Sequence, residues 1–141
     1  MQRLTQHAFT PTPQTVRTAR LFAMQALENW GGCQRRDDIR ACVSELAGNA
    51  VQHGSPDGRD YLVRLVQRTC CVHVEVLDNA FRSNVRIPPP SASGESGRGI
   101  HIVQELSDDW GVTTAADGDA KVVWSCFRRP EARVSRCSCK P

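Results

Sequence analysis

The sequence predicts an α/β two-layer sandwich, with a mixed, mostly antiparallel sheet and its helices on one face. Three observations carry that expectation. Two amphipathic helical stretches come early in the chain, strand-like stretches follow mostly as sequential neighbours, and a third helical stretch separates the two strand pairs.

The chain opens with a short extended segment around His7 to Thr10, punctuated by Pro11 and Pro13. Thr15 to Trp30 then places Val16, Ala19, Leu21, Ala23 and Leu27 in a helical pattern, which Gly31 and Gly32 stop. Asp37 or Asp38 sits in the first turn of the next helix, where a carboxylate favours the dipole, and that helix runs to about His53. Gly54, Ser55, Pro56, Asp57 and Gly58 make a turn. Two strands follow, Tyr61 to Arg68 and Cys71 to Leu77, the second alternating Val72, Val74 and Val76 with His73, Glu75 and Leu77.

Residues 79–96 are polar and rich in Pro, Ser and Gly, with Pro88, Pro89 and Pro90 in a row, so a long loop is expected there. Its position between a strand and a helix favours a lid. Ile100, Ile102, Val103 and Leu106 mark a short amphipathic helix with a glycine-rich start. Strands at about Trp110 to Ala115 and Lys121 to Phe127 meet at Asp117 and Gly118, a hairpin signal.

At 141 residues the chain suits one domain with a tail: a core domain over 1–128 and a basic end over 129–141. A hydrophobic content of 40% with 23% charged residues is ordinary for a globular protein, and no apolar run approaches the ~20 residues that span a bilayer. MQRLTQHAFT lacks the apolar stretch of a signal peptide, so a cytoplasmic location is expected. The net charge of +3 is mild, and Arg128, Arg129, Arg133, Arg136 and Lys140 crowd its end, which reads as a solvated, disordered tail. Without an aromatic platform or a recognition-helix pattern, direct nucleic-acid binding is a poor reading. Cys33, Cys42, Cys70, Cys71 and Cys126 lie in or beside apolar segments and read as reduced core residues. Cys137 and Cys139 form a lone C-x-C with no second ligand pair nearby in sequence.

Three features carry chemistry. Glu45, Asn49 and His53 recur every four residues, so a helix aligns a carboxylate, a carboxamide and an imidazole beside the apolar stripe Ile39, Val43, Leu46 and Ala50. Asn49 offers an amide oxygen suited to Mg²⁺, and Glu45 can accept a proton; a solvated helix face is the plainer reading. Asp78 ends an alternating strand, where it can accept a hydrogen bond from a purine amine or form an Asx turn with Asn79. In Ser93-Gly94-Glu95-Ser96-Gly97-Arg98-Gly99, before a helix, glycines permit close approach of backbone N–H groups to phosphate, or simply make a hinge. Together these are the parts of a nucleotide site.

At these residues the chain resembles the GHKL ATPase superfamily, and within it the small anti-sigma factor serine kinases of bacteria, over about residues 8–128. ELAGNAVQH resembles the family's N box, which implies Glu45 as general base and Asn49 as Mg²⁺ ligand. VLDNA resembles the box whose aspartate reads the adenine amine, which implies that role for Asp78. SGRGIHIVQELSDDWGV resembles the second glycine box, which implies Gly97, Arg98 and Gly99 against the phosphates and residues 80–96 as the ATP lid. AKVVWSCF looks like the last core strand.

Two positions depart from the family pattern. Ala80 replaces the glycine of D-x-G at the nucleotide, and Val122 stands where many members carry a threonine that supports the adenine contact. The resemblance implies the Bergerat fold and transfer of the ATP γ-phosphoryl to a serine of an anti-anti-sigma, STAS-type partner, with control of a sigma factor and homodimerisation. Ala80 and Val122 keep open the alternative of a catalytically weak or inactive nucleotide-gated protein-binding regulator. His53 keeps two readings, contact with the lid or a structural role at the helix end.

Overall fold

The computed structural model describes residues 2–53, 58–78, 95–114 and 120–130, with the backbone alone described at 95–99. Eight elements run in the expected order: β1 (Arg3–Phe9), α1 (Pro13–Asn29), α2 (Arg36–His53), β2 (Tyr61–Gln67), β3 (Cys71–Asp78), α3 (Glu95–Leu106), β4 (Asp109–Thr114) and β5 (Lys121–Arg128). Ala80 and most of the expected lid, the turn at Asp117 and Gly118, and the end of the tail lie outside the described residues.

The five strands form one sheet in the order β1-β2-β3-β5-β4. Every pairing among the described residues is antiparallel, which corrects the expectation of a mixed sheet. The connections explain it. Two successive helices after β1 carry the chain away and back, so Tyr61 starts opposite Phe9. The single helix α3 returns the chain to the Cys71 end of the sheet, so β4 runs in the direction of β3. β5 inserts between them and removes what would have been a parallel contact.

The three helices cover one face of this sheet. Leu27 from α1, and Ile39, Val43 and Leu46 from α2, pack into one core with Val63, Leu65, Val72, Val74, Val76 and Phe127 of the strands. Such interdigitation of a helix stripe with alternate strand residues removes both apolar surfaces from water. α1 ends as its two glycines dictate: Gly31 (φ 96°) and Gly32 (φ 89°) are left-handed, and their N–H groups donate to Glu28 O at 3.0 Å and Leu27 O at 2.8 Å, a Schellman cap. At its other end the Thr15 and Tyr61 hydroxyls meet at 2.8 Å, tying α1 to β2.

Cys33, Cys42, Cys71 and Cys126 carry thiols, as expected of small residues in or beside the core. Cys70, in the turn between β2 and β3, is disulfide-bonded, which corrects its reading as a reduced residue. Among the described residues, no helix is long and apolar enough to cross a membrane.

Candidate functional site

α2 is the central helix. It packs against both α1 and α3 and lies over β2, β3 and β5. Its apolar stripe, Ile39, Val43, Leu46 and Ala50, is buried as the spacing predicts, with Cys42 and Ala47 beside it. Glu45 and Asn49, one turn apart, are half-buried at the border of that stripe, and His53 is exposed at the helix end. Two oxygen-bearing side chains are thus held on a rigid element at the margin of the core, where their orientation is limited by packing.

Asp78 is the last residue of β3, the middle strand. Val72, Val74 and Val76 face the helical layer, and strand alternation puts Asp78 on that same face. It is only 5% exposed. Burying a carboxylate this far is costly unless a charge or a hydrogen bond answers it. The cation that answers it is Lys121, the first residue of β5, which is paired across the sheet with Asp78 and brings its Nζ within 3.8 Å of Oδ2. That separation makes an ion pair and not a hydrogen bond.

The same register shows which way Val122 faces. Val122 pairs with Leu77, so it belongs to the sheet face opposite the helices, and the residue beside Asp78 is Lys121.

α3 begins at Glu95, so Gly97, Arg98 and Gly99 lie within its first turns, whereas the sequence suggested a loop leading into the helix. Residues 95 and 96, expected from the sequence to lie in the lid, are helical. The leading N–H groups of α3 have no partner four residues earlier, and the dipole makes that end attractive to an anion. The helix is anchored by Ile100 and Val103, which are buried, and it packs against α2.

Arg35, which the sequence reading did not single out, locks these elements together. Its Nε donates to Asp38 at 2.9 Å, Nη1 to Asp108 at 2.7 Å and Nη2 to the carbonyl of Leu106 at 2.6 Å. Its guanidinium also lies 5.5 Å from the ring centroid of Phe127. One planar cation thus joins the start of α2, the end of α3 and β5. Burial works against the charge on Arg35, but the bonds to Asp108 and Asp38 outweigh it and hold its pKa above the ordinary value. Burial likewise opposes ionisation of Asp108, yet the Arg128 N–H and Arg35 together hold its carboxyl below the usual range.

α2 with Glu45 and Asn49, the end of β3 with Asp78, and the first turn of α3 therefore belong to one helical layer and its supporting strand. No curated protein matches the chain. The family described as histidine kinase-like ATPase domain matches residues 9–126, a span that takes in the three helices, β2, β3, β4 and most of β5, but only the last residue of β1. The chain belongs to that family, and it is an ATPase domain of the histidine kinase-like type.

Proposed function

We propose that the protein is an ATP-dependent serine kinase that phosphorylates a STAS-type anti-anti-sigma partner and controls a sigma factor by partner switching. The observation that carries this reading is Asp78, a carboxylate buried at the end of the middle strand on the face that also receives α2 and α3. In it, Asp78 accepts a hydrogen bond from the adenine amine. The first turn of α3, with Gly97, Arg98 and Gly99, receives the phosphates through backbone N–H groups. Ala80 lies along the nucleotide in place of the family's glycine.

The carboxamide oxygen of Asn49, a hard donor, fits Mg²⁺, and the Glu45 carboxylate one turn away is suited to take a proton. Asn49 holds the ion and Glu45 takes the proton of the attacking serine hydroxyl. Bound Mg²⁺ would neutralise charge developing on the transferred phosphoryl group.

The test is incubation with Mg-ATP and candidate STAS-domain proteins, read as phosphoserine by mass spectrometry. Glu45→Gln is expected to lose transfer while retaining ATP in calorimetry. Absence of phosphoserine on every partner, at enzyme concentrations where a control kinase works, would remove the kinase reading.

The Lys121 ion pair favours a second reading. An ammonium beside Asp78 competes with the adenine amine for the same carboxylate, as expected of a weak or inactive nucleotide-gated regulator. ATP binding with no transfer, together with nucleotide-dependent partner binding in a pull-down, would select it.

A further inference from the structure

We propose that Cys71, His73 and Cys126 form a zinc site on the face of the sheet opposite the helices. Their ligand atoms, two Sγ and one imidazole nitrogen, all lie within 4.8 Å of one another. All three residues are completely buried. The site is remote in direction from the nucleotide residues: Val72 and Val74 alternate with Cys71 and His73 along β3 and face the helical core.

The cluster follows from backbone geometry. Cys71 and His73 are two apart on β3 and share a face, while Cys126 on β5 is the direct cross-strand partner of His73. Both cysteine backbones are pinned. Cys71 O accepts from Arg68 N at 2.8 Å and Cys126 O from Asp108 N at 2.9 Å. The imidazole stacks on Trp124, with centroids 5.9 Å apart and planes 23° from parallel, so its ring plane is fixed as well. A tetrahedral zinc site places its donors about 3.5 Å apart, given bonds of about 2.3 Å to sulfur and about 2.0 Å to nitrogen. The donors, now within 4.8 Å of one another, must therefore draw about 1 Å closer on binding.

The donor chemistry selects the metal. Two thiolates and one imidazole are borderline-soft ligands suited to zinc or to copper, and unsuited to Mg²⁺ or Ca²⁺. Charge then decides between the first two. Two thiolates balance Zn²⁺, leaving a neutral complex in a buried place, whereas Cu(I) would leave a net buried negative charge. Binding displaces one proton from each thiol into solvent, and neutral His73 contributes a lone pair without losing a proton. Three protein donors leave a fourth position for an exogenous ligand.

The experiment uses the full chain, purified with a non-thiol reductant and titrated with Co²⁺, then Zn²⁺. One equivalent of Co²⁺ is expected to give thiolate-to-cobalt charge transfer in the near ultraviolet and the intense visible bands of a tetrahedral ion, both abolished by Zn²⁺. Cys71→Ser and Cys126→Ser should each weaken zinc by at least about 100-fold, while circular dichroism reports whether the variants fold. A readout on the unaltered chain guards against misfolding: at about pH 7, zinc should release two protons per ion into a weakly buffered indicator solution. No cobalt spectrum, or no proton release, overturns the site and leaves three packed core side chains. A spectrum that survives in Cys126→Ser but vanishes when Cys137 and Cys139 are both replaced by Ser also overturns it, by assigning the metal to the C-x-C of the tail.

Discussion

Arg35→Met tests whether one guanidinium holds the helical layer to the sheet. The substitution keeps an unbranched chain that can still cover Phe127, and it removes bonds to Asp38, Asp108 and Leu106 O. A charge-assisted bond contributes about 1.5–3 kcal/mol when dry. Here the side chains are 20% (Arg35), 37% (Asp38) and 30% (Asp108) exposed, so water can replace part of what is lost and the lower end applies. The two carboxylate bonds, the carbonyl bond and the contact with Phe127 together point to a loss of about 3 kcal/mol. With a urea slope of about 1.5 kcal/mol per molar for a domain of this size, the midpoint should fall by about 2 M. Equilibrium urea unfolding by circular dichroism measures it. A fall of less than about 0.5 M would refute the reasoning, because the clamp would then be well formed in geometry but energetically idle.

Asp108 adds a pH dependence to the same clamp. Its folded pKa is lowered from 3.8, so its contribution is fully present above that ordinary value and is lost as pH falls through the lower folded value. The urea midpoint should therefore drop more steeply between about pH 5 and about pH 2.5 in the unaltered protein than in Asp108→Asn; equal slopes would contradict it. Gly111→Ala should destabilise by about 1–3 kcal/mol in thermal unfolding, since a Cβ there would meet Trp124 Cζ2 at 2.8 Å with the indole packed on the strand. Cys42 should resist iodoacetamide at about pH 8 under native conditions, because burial, reinforced by the charge of Asp38, pushes its thiol up to about 12; rapid labelling seen by peptide mapping would show that the core opens readily. Lys121→Thr should tighten ATP about fivefold in calorimetry by freeing the Asp78 carboxylate from its cation, and unchanged affinity would mean that the ion pair does not oppose the nucleotide.

Much of the fold was legible because its signals are local. Helical spacing in Ile39, Val43, Leu46 and Ala50 announced a buried face, and all four are buried. Alternation in Val72, Val74 and Val76 announced a half-core strand, and these residues join the core. The paired glycines at 31 and 32 announced the end of α1, and they form its cap. Strand order was not legible in the same way. Nothing local in AKVVWSCF says that β5 inserts between β3 and β4, because insertion depends on the return path of α3 and on which strand edge is left to pair.

The same division runs through the site. Glu45 and Asn49 were found as a pair because four residues make one helical turn, and the helix sets them at the edge of the core. The place of Asp78 at the end of β3 was legible because it closes a clean alternation. Lys121 was missed, since its only signal is a cross-strand register, and the same register alone tells that Val122 faces away from Asp78, one residue along a strand being the difference between faces. The cysteines were read singly, as small core residues, because Cys71 and Cys126 are joined only by the pairing of β3 with β5.

By itself, then, the sequence determined the helices, the strands, their faces and the polar residues at the border of the α2 core stripe, because each follows from spacing within a few residues. Only the tertiary structure decided the all-antiparallel sheet, the Lys121 partner of Asp78, the convergence of Cys71, His73 and Cys126, and the Arg35 clamp. The physical reason is distance along the chain. Arg35 and Asp108 lie 73 positions apart, and only the closure of the whole layer brings their charges to 2.7 Å.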